Sequence, residues 1–267
     1  MRRINLISLR ILVFLIMFSS IIFSSIILTI LDIFPPQKDV RPLGKYYLNY
    51  SYFEHGNITR TAKSPEAVTA IVWDYRGLDT LFETTVFFLA VMGGLTLFRV
   101  EKADLSKTRI KYIGMTMIVK QATKILAVLI IAVSASIALH GHLTPGGGFQ
   151  GGTALAIAPL LVLAAYSKYI LEEHGLTYLK AILIRSISLS MIWIVVLMPA
   201  LNGYNLMQNQ PFYPGEIFNQ LISGSLFFYN LLEYLAIGMG FTAVFLYLSI
   251  PEKIYLEELR SIESEKG

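Results

Sequence analysis

The sequence predicts an all-α, polytopic membrane protein with six transmembrane helices, and three observations point to it. Hydrophobic residues fill 55% of the 267 positions and charged residues only 15%. The mean hydropathy is +0.60. The apolar residues are gathered into runs of the ~20 residues that a helix needs to cross a hydrocarbon core. These runs cover residues 11–31, 78–98, 118–139, 152–170, 181–201 and 221–250.

The first run follows Arg2, Arg3 and Arg10. Its apolar core exceeds the roughly 7–15 residues of a cleavable signal and no small-residue cleavage site follows, so it reads as an uncleaved anchor. A polar segment, 34–75, precedes the second run. Its Tyr46, Tyr47, Tyr50, Tyr52 and Phe53 suit a stretch lying on the headgroup layer or covering a neighbouring subunit. Asn49-Tyr-Ser and Asn57-Ile-Thr match the glycosylation sequon, a short and weak pattern. The third run admits Lys120 and Lys124 near its start and the fifth admits Arg185, all expected to snorkel to the interface. The sixth exceeds a single span, which predicts tilt or an emergent end.

Basic residues orient the helices, because Lys and Arg are retained on the cytoplasmic side. With both termini cytoplasmic, 16 of the 22 basic residues lie inside, and the other six (Lys38, Arg41, Lys45, Arg60, Lys63, Arg76) share one outer segment. The net charge of +4 follows from this bias, so nucleic-acid binding is not implied. With no cysteine, the chain can form no disulfide, thiolate nucleophile or iron–sulfur ligand.

Two sections are expected. Residues 1–110 hold two helices and the outer segment 34–75. Residues 111–250 hold four closely connected helices around a glycine-rich loop, 141–152, and 251–267 form a solvated cytoplasmic tail. The charged stretch 100–111 is the natural joint.

The loop reads His140-Gly-His142-Leu-Thr-Pro145-Gly146-Gly147-Gly148-Phe-Gln-Gly151-Gly152 and contains no charged residue. Gly147 and Gly151, like Gly148 and Gly152, are four apart, and the small residues continue into the next helix. That pattern lets a neighbouring backbone approach, which replaces the hydrophobic drive that lipid cannot supply. A backbone nest for an anion, or a piece of an ion path, is the alternative. His140 and His142 form a weak metal pattern, with no cysteine and no third ligand nearby, and read as hydrogen-bonded side chains lining the loop. No catalytic residue and no metal site is assigned.

Three acids lie inside helical runs: Asp79 and Glu83, four apart and on one helix face, and Glu233 within the sixth run. An acid in a membrane helix is a functional candidate by default, because insertion costs about 2.5–3.5 kcal/mol for an Asp-like charge at mid-membrane. Arg76, three residues before Asp79, offers a structural reading in which it neutralises that acid at the interface.

On these residues the chain resembles a known family. The segment 141–152, with four helices around it, is similar to the B subunit of Mrp/Mnh-type multisubunit Na+/H+ antiporters, over roughly 111–250. The segment Asp74-Tyr-Arg76-Gly-Leu-Asp79-Thr80-Leu-Phe82-Glu83 resembles the end of the large A subunit, or the small E-type subunit of archaeal membrane-bound hydrogenase and sulfane-sulfur reductase complexes. Phe82 stands where that family usually has glycine.

The resemblance implies a non-catalytic subunit that binds no cofactor of its own. Its transported ions would be Na+ and H+, and its partners other Mrp-type subunits and hydrogenase or sulfur-reductase subunits in the cell membrane. Glu83 would then line part of an ion or proton path. A purely structural sealing subunit and a stand-alone transporter are the rivals; the latter would call for an inverted repeat, and none is evident. An intramembrane enzyme lacks a nucleophile or carboxylate at diagnostic spacing beside the histidines.

Overall fold

The computed structural model describes residues 6–31, 40–52, 61–97 and 115–249. The expected joint at 100–111, the tail 251–267, Phe53, His55 and Asn57 lie outside the described residues. Contacts divide the chain into two units, Met1–Tyr46 and Tyr47–Gly267. In the first unit α1 (Leu6–Ile30) is a continuous apolar helix whose described side chains, from Val13 onward, are all exposed. The helix α2 (Pro42–Ser51) runs across the division.

The second unit continues with a short turn, α3 (Ala67–Thr69), that passes directly into a π-helical turn, Ala70–Tyr75. Then come α4 (Gly77–Leu97), α5 (Met117–Leu139), α6 (Gly148–Ala165), α7 (Lys168–Glu173) and α8 (Tyr178–Leu201). A hairpin of β1 (Glu216–Ile217) and β2 (Gln220–Leu221) precedes α9 (Ser225–Leu248). Among the described residues six helices, α1, α4, α5, α6, α8 and α9, are long and apolar enough to cross a membrane. The protein is a multi-pass, helical membrane protein.

The boundaries differ from the sequence reading where packing overrides local preference. The fourth span begins at Gly148 rather than Gly152, so the last five residues of the expected loop form the first turn of α6. Glycine weakens a helix by about 1 kcal/mol relative to alanine, but here two backbones meet where no side chain fits. The span also ends early, at Ala165, with α7 following as a separate turn. The sixth span begins later than expected, at Ser225, with Leu221 in the hairpin, which is also the one departure from an all-α chain among the described residues.

The central helix is α9, which packs against α4, α5, α6 and α8. It can touch so many neighbours because Ala236, Gly238, Gly240, Thr242 and Ala243 keep its surface small. A Cβ on Gly152 would lie 2.8 Å from the Ile237 Cβ and the Tyr234 carbonyl of α9, and one on Gly151 would lie 2.7 Å from the Ser134 carbonyl of α5. Both contacts are below the 3.5–4.0 Å of normal carbon packing.

One end of this unit is stitched together by polar contacts. Ser64 donates to the His142 carbonyl (2.7 Å), Ser223 to the Lys63 carbonyl (2.6 Å), and the Asn209 amide to the carbonyls of Ala62 and Ser223 (3.3 and 3.2 Å). The segment 61–76 and the connections 140–147 and 202–224 thus meet at one end, where α4, α6 and α9 begin.

Candidate functional site

Beneath that knot lies a cavity of about 180 Å³, bordered by the π-helical turn, α4, the glycine-rich loop and α9. Both Glu83 and Glu233 line it, together with Gly146, Gly147 and Gly148. Sequence separates these residues by as much as 150 positions, and the fold gathers them in one chamber.

The two acids occupy different environments. Glu233 is 5% exposed. The Trp73 indole N–H donates to its carboxylate, and the Phe149 backbone N–H, in the first turn of α6, points at it. The first N–H groups of a helix lack intrahelical acceptors and carry the positive end of its dipole, so the start of α6 is a favourable place for this carboxylate. Asn230 completes the arrangement by accepting from the Gly148 N–H at 3.3 Å. Glu83, in contrast, is exposed on the surface of the chain and forms the open side of the chamber.

The glycines make this geometry. A Cβ on Gly148 would fall 2.5 Å from the Asn230 carbonyl, 2.6 Å from the Glu233 Cβ and 2.7 Å from its Oε2. Gly147 adopts φ +149°, which favours glycine. A Cβ on Gly146 would meet the Ile137 carbonyl at 2.6 Å. Close helix packing and backbone N–H groups facing an acid, the two readings left open by the sequence, occur at the same residues. Pro145 lies in the turn just before them.

Asp79 lies elsewhere. It takes a hydrogen bond from Arg76 Nε at 2.7 Å and pairs with the same guanidinium through Nη2, both side chains being more than half exposed. It borders a second cavity, of about 610 Å³, with Asp74, Arg76 and residues 205–210. The pairing with Arg76 is the structural arrangement the sequence offered for Asp79, and although Asp79 and Glu83 lie one turn apart on α4 they border different cavities.

The histidines are not bonded to one another. His140 is exposed and its Nδ1 lies 3.0 Å from the Ser136 carbonyl. His142 is buried, with Nε2 3.0 Å from the Leu221 carbonyl and Nδ1 without a partner. Burial, and secondarily the nearby His140, lowers its pKa, against the Leu221 bond that raises it. Among the described residues no group of three His, Cys, Asp or Glu could hold a metal.

Sequence reasoning misplaced Arg185, and it gave Asp74 a place in the motif that carries the resemblance but no role. Arg185 was expected at the interface, yet it is 1% exposed within the bundle. Its guanidinium lies over the rings of Phe87 and Phe88 (5.3 and 5.2 Å) and donates to the Phe87 carbonyl at 3.3 Å. Gly240 of α9 leaves the room, since a Cβ there would meet Arg185 Nη1 at 2.9 Å. Nothing in the spacing of α8 announces an aromatic and glycine cage supplied by α4 and α9. Asp74 sits in the π-helical turn, a feature frequent at functional sites.

The fold and chamber define a class: a helical membrane protein with one carboxylate buried in a glycine-packed bundle and a second, exposed, lining the same chamber. Residues 118–243 match the family model described as a domain related to the MnhB subunit of Na+/H+ antiporter. An uncharacterized protein of Methanocaldococcus jannaschii is 35% identical over 118 residues, and the chain spans 44% of that relative's length. A chain in the structure of the membrane-bound sulfane sulfur reductase, an archaeal respiratory membrane complex, superposes with TM-score 0.67 at 26% identity, covering 89% of this chain and 98% of that one. The Mrp complex from Dietzia sp. DQ12-45-1b shares the fold, with TM-score 0.62 at 14% identity, covering 95% of this chain and 27% of the other.

Proposed function

We propose that the chain is an integral membrane subunit of an Mrp-type Na+/H+ antiporter module, working within a redox-driven archaeal respiratory complex of the hydrogenase or sulfur-compound reductase type. In this reading it has no catalysis of its own, any redox step belongs to partner subunits, and the loop-rich end faces outward from the cytoplasmic membrane. Glu83 and Glu233 line part of an ion or proton path, which Glu83 opens toward a neighbouring subunit. The observation that carries the reading is the chamber itself: two acids from α4 and α9 converging on the first turn of α6. The match to the MnhB-related family model and the likeness to a chain of the sulfane sulfur reductase support the setting.

The test is ion exchange by native membrane vesicles that carry the assembled complex with Glu83→Gln or Glu233→Gln. Loss of Na+-linked proton movement with unchanged subunit composition is expected. The close glycine contacts favour a second reading, a sealing and packing subunit only. Normal transport by both variants would establish it.

A further inference from the structure

We propose that the chamber passes protons on water rather than Na+ itself, and that the Asn230 amide is the positioning residue that holds this water between Glu233 and Glu83. The proposal rests on the chamber being an ion or proton path.

Asn230 lines the chamber together with both acids and is 1% exposed. The two ends of its amide differ. Oδ1 accepts from the Gly148 N–H, whereas Nδ2 is buried with no hydrogen-bond partner among the described residues. The Gly148 bond fixes which end is which, because a backbone N–H requires the oxygen. Buried donors without partners are rare and costly. On the wall of a polar cavity such a donor is a binding point for water.

The surrounding backbone keeps room for this amide. A Cβ on Gly141 would lie 3.0 Å from Nδ2, so glycine leaves the space beside the NH2 open. The Gly141 carbonyl takes the Thr69 hydroxyl proton, and Thr69 is itself part of the chamber wall. Glu233 follows three residues after Asn230 on the same face of α9. Gly148 touches both: it donates to Asn230 Oδ1, and a Cβ on it would lie 2.7 Å from Glu233 Oε2. The amide, the buried carboxylate and the start of α6 therefore share one corner of the chamber.

The chemistry of the wall suits water better than a bare cation. Around Glu233 the neighbouring groups are donors, namely the Trp73 indole N–H, the Phe149 N–H and the Asn230 NH2. A dehydrated cation must be ringed by oxygens, and N–H groups turn their positive ends toward it. Water accepts from an N–H and donates to a carboxylate, so it fits between them. Elsewhere on the wall Thr69 and Thr80 give their hydroxyl protons to the carbonyls of Gly141 and Val72, which leaves both hydroxyl oxygens free to accept from water. The volume of about 180 Å³ holds several waters, each of which occupies about 30 Å³ in the liquid.

In the step proposed, the Glu233 carboxylic acid gives its proton to a water held by Asn230, as the water chain gives a proton to the Glu83 carboxylate. Glu233 becomes a carboxylate, Glu83 an acid, and the water is regenerated. Glu83, on the exposed side, then passes the proton to a neighbouring subunit, while Na+ binds elsewhere in the assembly.

The experiment measures Na+-driven proton movement in vesicles carrying the assembled complex, as a function of Na+ concentration. Asn230→Asp keeps an oxygen for the Gly148 N–H and replaces the NH2 by a second acceptor; Asn230→Leu removes both. Each should slow the maximal rate about tenfold or more and leave the KM for Na+ unchanged. A purely structural Asn230 would leave Asn230→Asp at the wild-type rate, and that result, with Glu83→Gln still blocking exchange, would overturn the proposal while the chamber stands. A lowered KM for Na+ in Asn230→Asp would also overturn it, since an added oxygen would then be serving a cation in the chamber. Normal exchange in Glu83→Gln and Glu233→Gln would instead remove the chamber reading and this proposal with it.

Discussion

Replacing Gly148 by alanine tests whether the start of α6 is as tightly held as the geometry indicates. The new Cβ would sit 2.5 Å from the Asn230 carbonyl and 2.6 Å from the Glu233 Cβ, so α6 and α9 must separate by about 1 Å to reach an ordinary contact of about 3.5 Å. Overpacking of this kind costs about 1–3 kcal/mol, and alanine's better helix propensity returns at most about 1. The net loss of up to about 2 kcal/mol corresponds to as much as roughly 8 °C in Tm for a unit of this size. The same movement draws the Phe149 N–H away from Glu233, so exchange should fall as well. The assay is thermal unfolding of the purified complex together with vesicle exchange. Gly94→Ala is the control, since its Cβ would meet nothing within 4 Å, and it should leave Tm unchanged or slightly higher. A Gly148→Ala complex with wild-type Tm and wild-type exchange would refute the packing argument.

Other perturbations read other parts of the molecule. Arg185→Met, which replaces a buried charge by an apolar chain of similar length, should hold or raise Tm, because buried ions cost much of what they return. Arg185→Ala should lower stability by about 2–5 kcal/mol through the cavity it opens; equal damage from both, measured by thermal unfolding, would show that the guanidinium's hydrogen bonds dominate. His142 is held neutral by burial, so its contribution to stability is complete above its unfolded value of 6.5 and is lost as pH falls below it toward the lowered folded value. His142→Asn should remove that acid-side slope in Tm between about pH 7.5 and 5.5.

Much of the architecture was legible along the chain. The six spans emerge near their expected places, because a membrane helix must present apolar residues over about 30 Å whatever its neighbours are. The glycine-rich segment also stood out, since glycines four apart imply a close approach wherever the partner lies. The acids Glu83 and Glu233 were visible from their cost in lipid.

Sequence by itself determined which segments are helices long enough to span a membrane and which buried polar residues call for an explanation. Tertiary structure alone decided what those residues face. Gly148 is helical because α9 comes close enough to exclude a side chain, and Arg185 is buried because Phe87, Phe88 and Gly240 build a place for it from two other helices. Asp79 and Glu83, one turn apart on α4, border different cavities, which adjoin at the consecutive residues Trp73 and Asp74 of the π-helical turn. Hydropathy is a property of each segment and can be read locally, whereas the partner of a buried charge is set by which helices meet, and in this fold residues far apart in sequence meet across α9.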